Sequence, residues 1–174
     1  MPTIAALDDN LSLLISQAAC HEAGVPTELC QHQDELSTSA APAGAPAPVE
    51  APFIVDHGGY YWLMVSYDYC CKGVNSTYYT VMGRSKAITG PYVGKDGSKL
   101  MEGGGTIFLR ADLQEQQRWR GPGHAGWLHD KDGRTGINTD YVVYHAYDRQ
   151  ANGAPTLRIA PVIWGDDGWP VAQY

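Results

Sequence analysis

From about residue 50 onward the chain is written in short runs of aromatic and β-branched residues, each ended by a turn signal. Tyr60 to Tyr69 is one such run and Thr77 to Arg84 is another. Ala125 to His129, Tyr141 to Tyr147, Thr156 to Trp164 and a short end around Val171 form a second group. Gly90-Pro91, Asp96-Gly97, Gly103-Gly104-Gly105, Asp132-Gly133, Asn152-Gly153 and Asp167-Gly168 punctuate them. Strands this short and this closely spaced, with almost no helical period between them, predict an antiparallel all-β architecture. The count of roughly eight strands suits two four-stranded propeller blades. Identity between the two groups is too weak to establish a repeat from the letters.

Upstream the character changes. Ile4, Leu7, Leu11, Leu14, Ile15 and Ala18 recur at helical spacing, and Gly24 and Pro26 supply a stop. Residues 1–36 are therefore read as a helical segment whose apolar stripe packs on the following domain or against another subunit. Residues 37–49 are rich in Ser, Thr, Ala, Pro and Gly, which cannot bury enough surface to offset chain entropy, and are read as a linker. Residues 50–174 make up the β domain.

The formal charge of −7 and the absence of any Lys/Arg cluster exclude a polyanionic partner, so neither nucleic acid nor an acidic membrane surface is expected. No apolar run reaches the length of a membrane span. The first Lys is Lys72 and the first Arg is Arg84, so nothing basic precedes the apolar stretch Leu11 to Ile15. No cleavable secretory signal is read from it, which places the cytoplasm first and secretion as the alternative. Cys20, Cys30, Cys70 and Cys71 lack zinc-ligand spacing, and adjacent cysteines bridge only through a strained ring. Free thiols are the expectation, with a Cys20–Cys30 bridge as the alternative in an oxidising compartment. Asn75-Ser76-Thr77 fits a glycosylation sequon, but such triplets arise by chance.

A set of segments carries a resemblance. Glu50-Ala51-Pro52-Phe53-Ile54, Tyr67-Asp68-Tyr69-Cys70-Cys71-Lys72-Gly73, Gly83-Arg84-Ser85 and Gly90-Pro91-Tyr92 come first. Gly103-Gly104-Gly105-Thr106, Arg120-Gly121-Pro122-Gly123-His124, Tyr144-His145-Ala146-Tyr147-Asp148, and Leu157-Arg158-Ile159 through Asp167-Gly168-Trp169-Pro170 follow in order. Together they resemble the arabinanases of glycoside hydrolase family 43, over nearly all of residues 50 to 174; residues 1 to 49 show no such likeness. The resemblance implies a partial, about two-blade segment of a five-bladed β-propeller, with the active site at one end of the central channel.

It also implies roles. Glu50 matches the family's general acid; without the resemblance it reads as a solvated residue at a linker end. An inverting glycosidase needs that acid and a second carboxylate to activate water, and no counterpart of the family's general base is identifiable in this chain. His124 matches the histidine that helps hold a hydrated metal ion, usually calcium, at the channel centre, whereas an isolated His reads as a core residue. Asp68, Cys70 and Cys71 match a segment near the sugar cleft. Trp119, beside Arg118 and Arg120, is the expected cleft wall, since aromatic faces pack on the C–H faces of sugars. His145 and Asp148 are expected to form a structural network.

The activity implied is hydrolysis of α-1,5-arabinan or arabino-oligosaccharides with inversion, completed by self-association into a homo-oligomer or by a companion chain. The alternative is a silent carbohydrate-binding or remnant module lacking the base.

Overall fold

The computed structural model describes residues 49–114, 116–131 and 138–174. The expected N-terminal helix, most of the linker, the Cys20–Cys30 bridge and the Asp132-Gly133 turn lie outside the described residues.

Eight strands form two four-stranded antiparallel sheets. The first blade contains β1 (Val49–His57), β2 (Tyr60–Tyr67), β3 (Tyr79–Ser85) and β4 (Thr106–Leu109). The second contains β5 (Trp119–Lys131), β6 (Asn138–Asp148), β7 (Ala154–Trp164) and β8 (Pro170–Ala172). In each, strand neighbours in sequence are neighbours in the sheet, as in an up-and-down blade. The first strand of the second blade opens at Trp119 rather than Ala125, because Gly121-Pro122-Gly123 is carried through the ladder as bulges.

Alternation along β2 decides the core. Trp62 and Met64 point one way with Met82, and meet Val142, Tyr144, Ala146, Ala160 and Val162 of the second blade. Small Ala146 and Ala160 share this core with bulky Trp62 and Met64. Burying each of the larger side chains contributes about 1.5–3 kcal/mol.

Leu63, Val65 and Tyr67 point the other way, and Tyr92 and Leu100, both fully buried, close over them. These two come from the excursion between β3 and β4, which folds back over its own sheet. Gly83 makes this possible, since a Cβ there would lie 2.3 Å from Leu100 Cδ1. A two-blade unit is expected to leave both flanks bare, yet the first blade covers its own.

The second blade does not. Along β7 and β8 the residues alternating with the core set are Leu157, Ile159, Ile163 and Val171, which are 71%, 54%, 56% and 53% exposed. Apolar residues exposed together on one side of a sheet mark a candidate contact surface.

Candidate active site

The inner strands β1 and β5 lie side by side and carry the same irregularity. In β1 the register steps between Glu50 and Phe53, and Ala51 takes φ 53. In β5 it steps between Gly123 and Gly126, and His124 takes φ 51. Left-handed backbone at non-glycine residues is costly and persists only where neighbours enforce it. Between the two bulges runs a groove of about 160 Å³, lined by Ala51, Pro52, Phe53, His124, Ala125 and Gly126.

Glu50 stands beside this groove. The Tyr78 hydroxyl donates to Glu50 Oε2 at 3.0 Å. Tyr78 is buried, which pushes its phenol well above its ordinary value, and the Glu50 carboxylate pushes it the same way. Hence Tyr78 stays a donor across the working pH range. The His145 ring stacks on Tyr78, with centroids 5.7 Å apart, and Tyr147 meets His145 edge-on at 5.6 Å. Burial, helped by nearby His124 and opposed by Glu50, lowers the His145 pKa and favours neutral imidazole. His145 Nε2 is buried without a protein partner among the described residues.

His124 is fixed through its backbone, whose N–H donates to Ser66 Oγ at 2.9 Å and ties the second blade to the first. The glycine preceding it is required, because a Cβ on Gly123 would lie 2.2 Å from Tyr78 Cδ1. The Gly-Pro-Gly-His motif therefore makes room for the tyrosine that holds the acid. Its imidazole is exposed.

Other anticipated residues fall around this group. Asp68 ends the β2 segment at φ 72, with its charge near Tyr79. Cys70 and Cys71 are joined in a disulfide, which corrects the expectation of free thiols. The adjacent pair is accommodated by left-handed backbone at Cys71, φ 70, whose N–H donates to the Tyr147 hydroxyl at 2.9 Å. Arg120 steadies the following turn by donating to the Val74 carbonyl at 3.1 Å. Trp119 is not brought to Glu50's neighbours: its ring lies under the Arg118 and Arg158 guanidinium groups, at 4.4 and 3.8 Å, and packs against the interblade core. Asp148 pairs with Arg118 at 2.9 and 2.6 Å and caps the Gln150 N–H. The Arg118 hydrogen bonds hold its carboxyl down at about 2.

Tyr78 and Ser66 are neighbours of Glu50 and His124 that the sequence did not single out. Tyr78 is one of 11 tyrosines and reaches Glu50 across 28 residues, so no local spacing signals the pair. Among the described residues no three His, Cys, Asp or Glu side chains form a group able to hold a metal ion. One imidazole is a poor set for calcium, which prefers oxygen, so the described residues alone do not fit that ion.

The profile of glycosyl hydrolases family 43 matches residues 21–170. The match begins at residue 21, so residues 21–49 fall within it, against the expectation that nothing before Glu50 resembles the family. An extracellular endo-α-(1→5)-L-arabinanase of Bacillus subtilis is 47% identical over 122 residues, covering 70% of this chain and 33% of that protein. An extracellular exo-α-(1→5)-L-arabinofuranosidase of Cellvibrio japonicus is 40% identical over 124 residues, covering 71% and 33%. The solved structure of the Cellvibrio cellulosa α-L-arabinanase complexed with arabinohexaose superposes with a TM-score of 0.62 at 39% identity, over 72% of this chain and 36% of that one. The chain thus spans about a third of the length of the curated relatives it matches. With this profile match and these propeller relatives, the two blades and their Glu50 groove belong to glycosyl hydrolases family 43.

Proposed function

We propose that this chain supplies the acid-bearing part of a site that hydrolyses α-1,5-arabinan or arabino-oligosaccharides with inversion. The observation that carries the reading is Glu50, held by Tyr78 beside the groove between the two inner strands. Relatives acting as endo- and exo-arabinanases, one of them solved with arabinohexaose, support the substrate class. In this reading Glu50 gives its proton to the leaving glycosidic oxygen, while a carboxylate about 6.5–9.5 Å away activates water on the opposite face of the sugar. That second carboxylate comes from another copy or a companion chain. The bare apolar face of the second blade supports such an assembly.

Calcium near His124 belongs to the same proposal, as an ion completed by water and by groups outside the described residues. The Cys70–Cys71 bridge supports an oxidising compartment, hence secretion over the cytoplasm. Alkylation of both thiols in the native protein without reductant would contradict that placement.

A second reading, a silent carbohydrate-binding module, is favoured by one observation: Asp148, the acidic side chain at the same end of β6, is already committed to Arg118. Reducing-sugar release from linear and branched arabinan, by wild type and Glu50→Gln, with and without EDTA, separates the two. Activity lost by about 100-fold or more in Glu50→Gln supports the hydrolase. Activity that persists in the variant removes Glu50 as the acid, and none in either protein selects the binding module. Activity unmoved by EDTA removes the calcium.

A further inference from the structure

At the end of the blades away from Glu50, a cavity of about 140 Å³ opens between the ends of β1 and β7. β1 begins near Glu50 and ends at His57, which puts roughly 20 Å between the groove and this cavity at the rise of an extended strand. One wall is the His57 ring stacked on Trp164, with centroids 3.6 Å apart and planes 5° from parallel. The other wall is Tyr60 and Trp62, with the Arg84 guanidinium held over their rings at 4.5 and 5.6 Å. Trp169 backs the same guanidinium at 5.0 Å.

Arg84 is the feature without a use. Among the described residues no carboxylate pairs with it, and only aromatic faces meet its charge. Two acids near the cavity have other partners, and Asp140 Oδ2 also lies 3.9 Å from His57 Nδ1. Asp140 bonds the Trp164 indole N–H at 2.6 Å and His129 Nδ1 at 2.7 Å, and Asp167 pairs with Lys95. At Gly168 in the adjacent turn a Cβ would lie 3.8 Å from Arg84 Nη1, an ordinary contact distance. A second cation, Lys86, also lies over the Tyr60 ring, 3.5 Å from its centroid.

A planar guanidinium with unused donors matches a carboxylate, and flanking aromatic walls match the apolar face of a sugar ring. We propose that this cavity binds a hexuronate, the acidic residue of a saccharide, with its carboxylate on Arg84 and its ring between the two aromatic walls. The net charge of −7 repels long polyanions, so the ligand is a single residue or a short oligomer, and added salt weakens it. The site is independent of Glu50 and does not require the hydrolase reading.

Tryptophan fluorescence titration of the full chain with D-galacturonate, D-galactose and acetate tests it. Saturable binding of galacturonate, on the order of tenfold tighter than galactose or acetate, is expected from one charge-assisted pair. Arg84→Gln should lose that advantage, and Arg84→Lys should keep only part of it. Equal affinity for galacturonate and galactose would overturn the carboxylate contact. An acetate response equal to that of galacturonate would overturn the sugar contact. Undiminished binding in folded Arg84→Gln would overturn the site; should that variant fail to fold, the wild-type discrimination between galacturonate and galactose decides alone.

Discussion

In β1 the pairing steps from Glu50 opposite Ser66 to Phe53 opposite Met64; in β5 it steps from Gly123 opposite His145 to Gly126 opposite Val143. Ala51 and His124 occupy the same bulge position with nearly the same φ, and buried Pro52 and Ala125 follow them. The first blade uses this device to present a carboxylate and the second to present an imidazole. Where the blades differ is at their outer faces. The first folds residues 86–105 back over itself, whereas the second leaves Leu157, Ile159, Ile163 and Val171 in solvent. One backbone plan thus yields a blade with a covered outer face and a blade with an exposed one, and the exposed face is where the proposed partner would dock.

The largest way to break that contrast is to truncate one residue from each outer face. Leu63→Ala, in the closed face, should cost about 2–5 kcal/mol in denaturant unfolding. Leu157→Ala, in the open face, should stay within about 0.5 kcal/mol when measured on dilute protein. Comparable losses at both positions would mean that the second face is already covered.

A sharper comparison lies within the bulges. Gly123→Ala drives a methyl into the Tyr78 ring, and overpacking of this kind costs about 1–3 kcal/mol. Gly126→Ala meets Phe53 at 3.7 Å and the Val143 carbonyl at 4.0 Å, both ordinary contacts, and should be close to neutral. Thermal unfolding of the two variants checks the ordering, and the Gly123 variant should also lose any Glu50-dependent activity.

The smallest effect concerns the Arg118–Asp148 pair, which exists only in the second blade. Its folded pKa of about 2 lies below the ordinary 3.8, so its stabilisation is present above about 4 and lost as pH falls towards 2. Melting temperature should therefore fall more steeply over that range for wild type than for Arg118→Gln. Parallel profiles would remove the pair as a contributor.

Much of this was legible in the letters, and the reasons for the remainder are physical. Period-two alternation in Tyr60–Tyr67 and Thr156–Trp164 reports which residues face a core, because a sheet side chain faces one side or the other. It does not report what covers each face, so the closure of Leu63 and Val65 by Tyr92 and Leu100 was invisible. Gly121-Pro122-Gly123 reads locally as a breaker, and only the approach of Tyr78 shows why glycine must sit inside a strand. The resemblance pointed to Glu50 and His124, but not to Tyr78, whose contact depends on two strands meeting. The Cys70–Cys71 bridge was missed because ring strain argues against adjacent pairs until the enforcing turn is seen.

In the proposed assembly the acid on the first blade works only once the second blade has found its partner. Sedimentation velocity across the micromolar range, run beside arabinan hydrolysis per unit of protein at the same concentrations, tests it directly. Self-association with specific activity rising as the assembled fraction rises is the expected result. A monodisperse monomer with undiminished, Glu50-dependent activity at every concentration would contradict it.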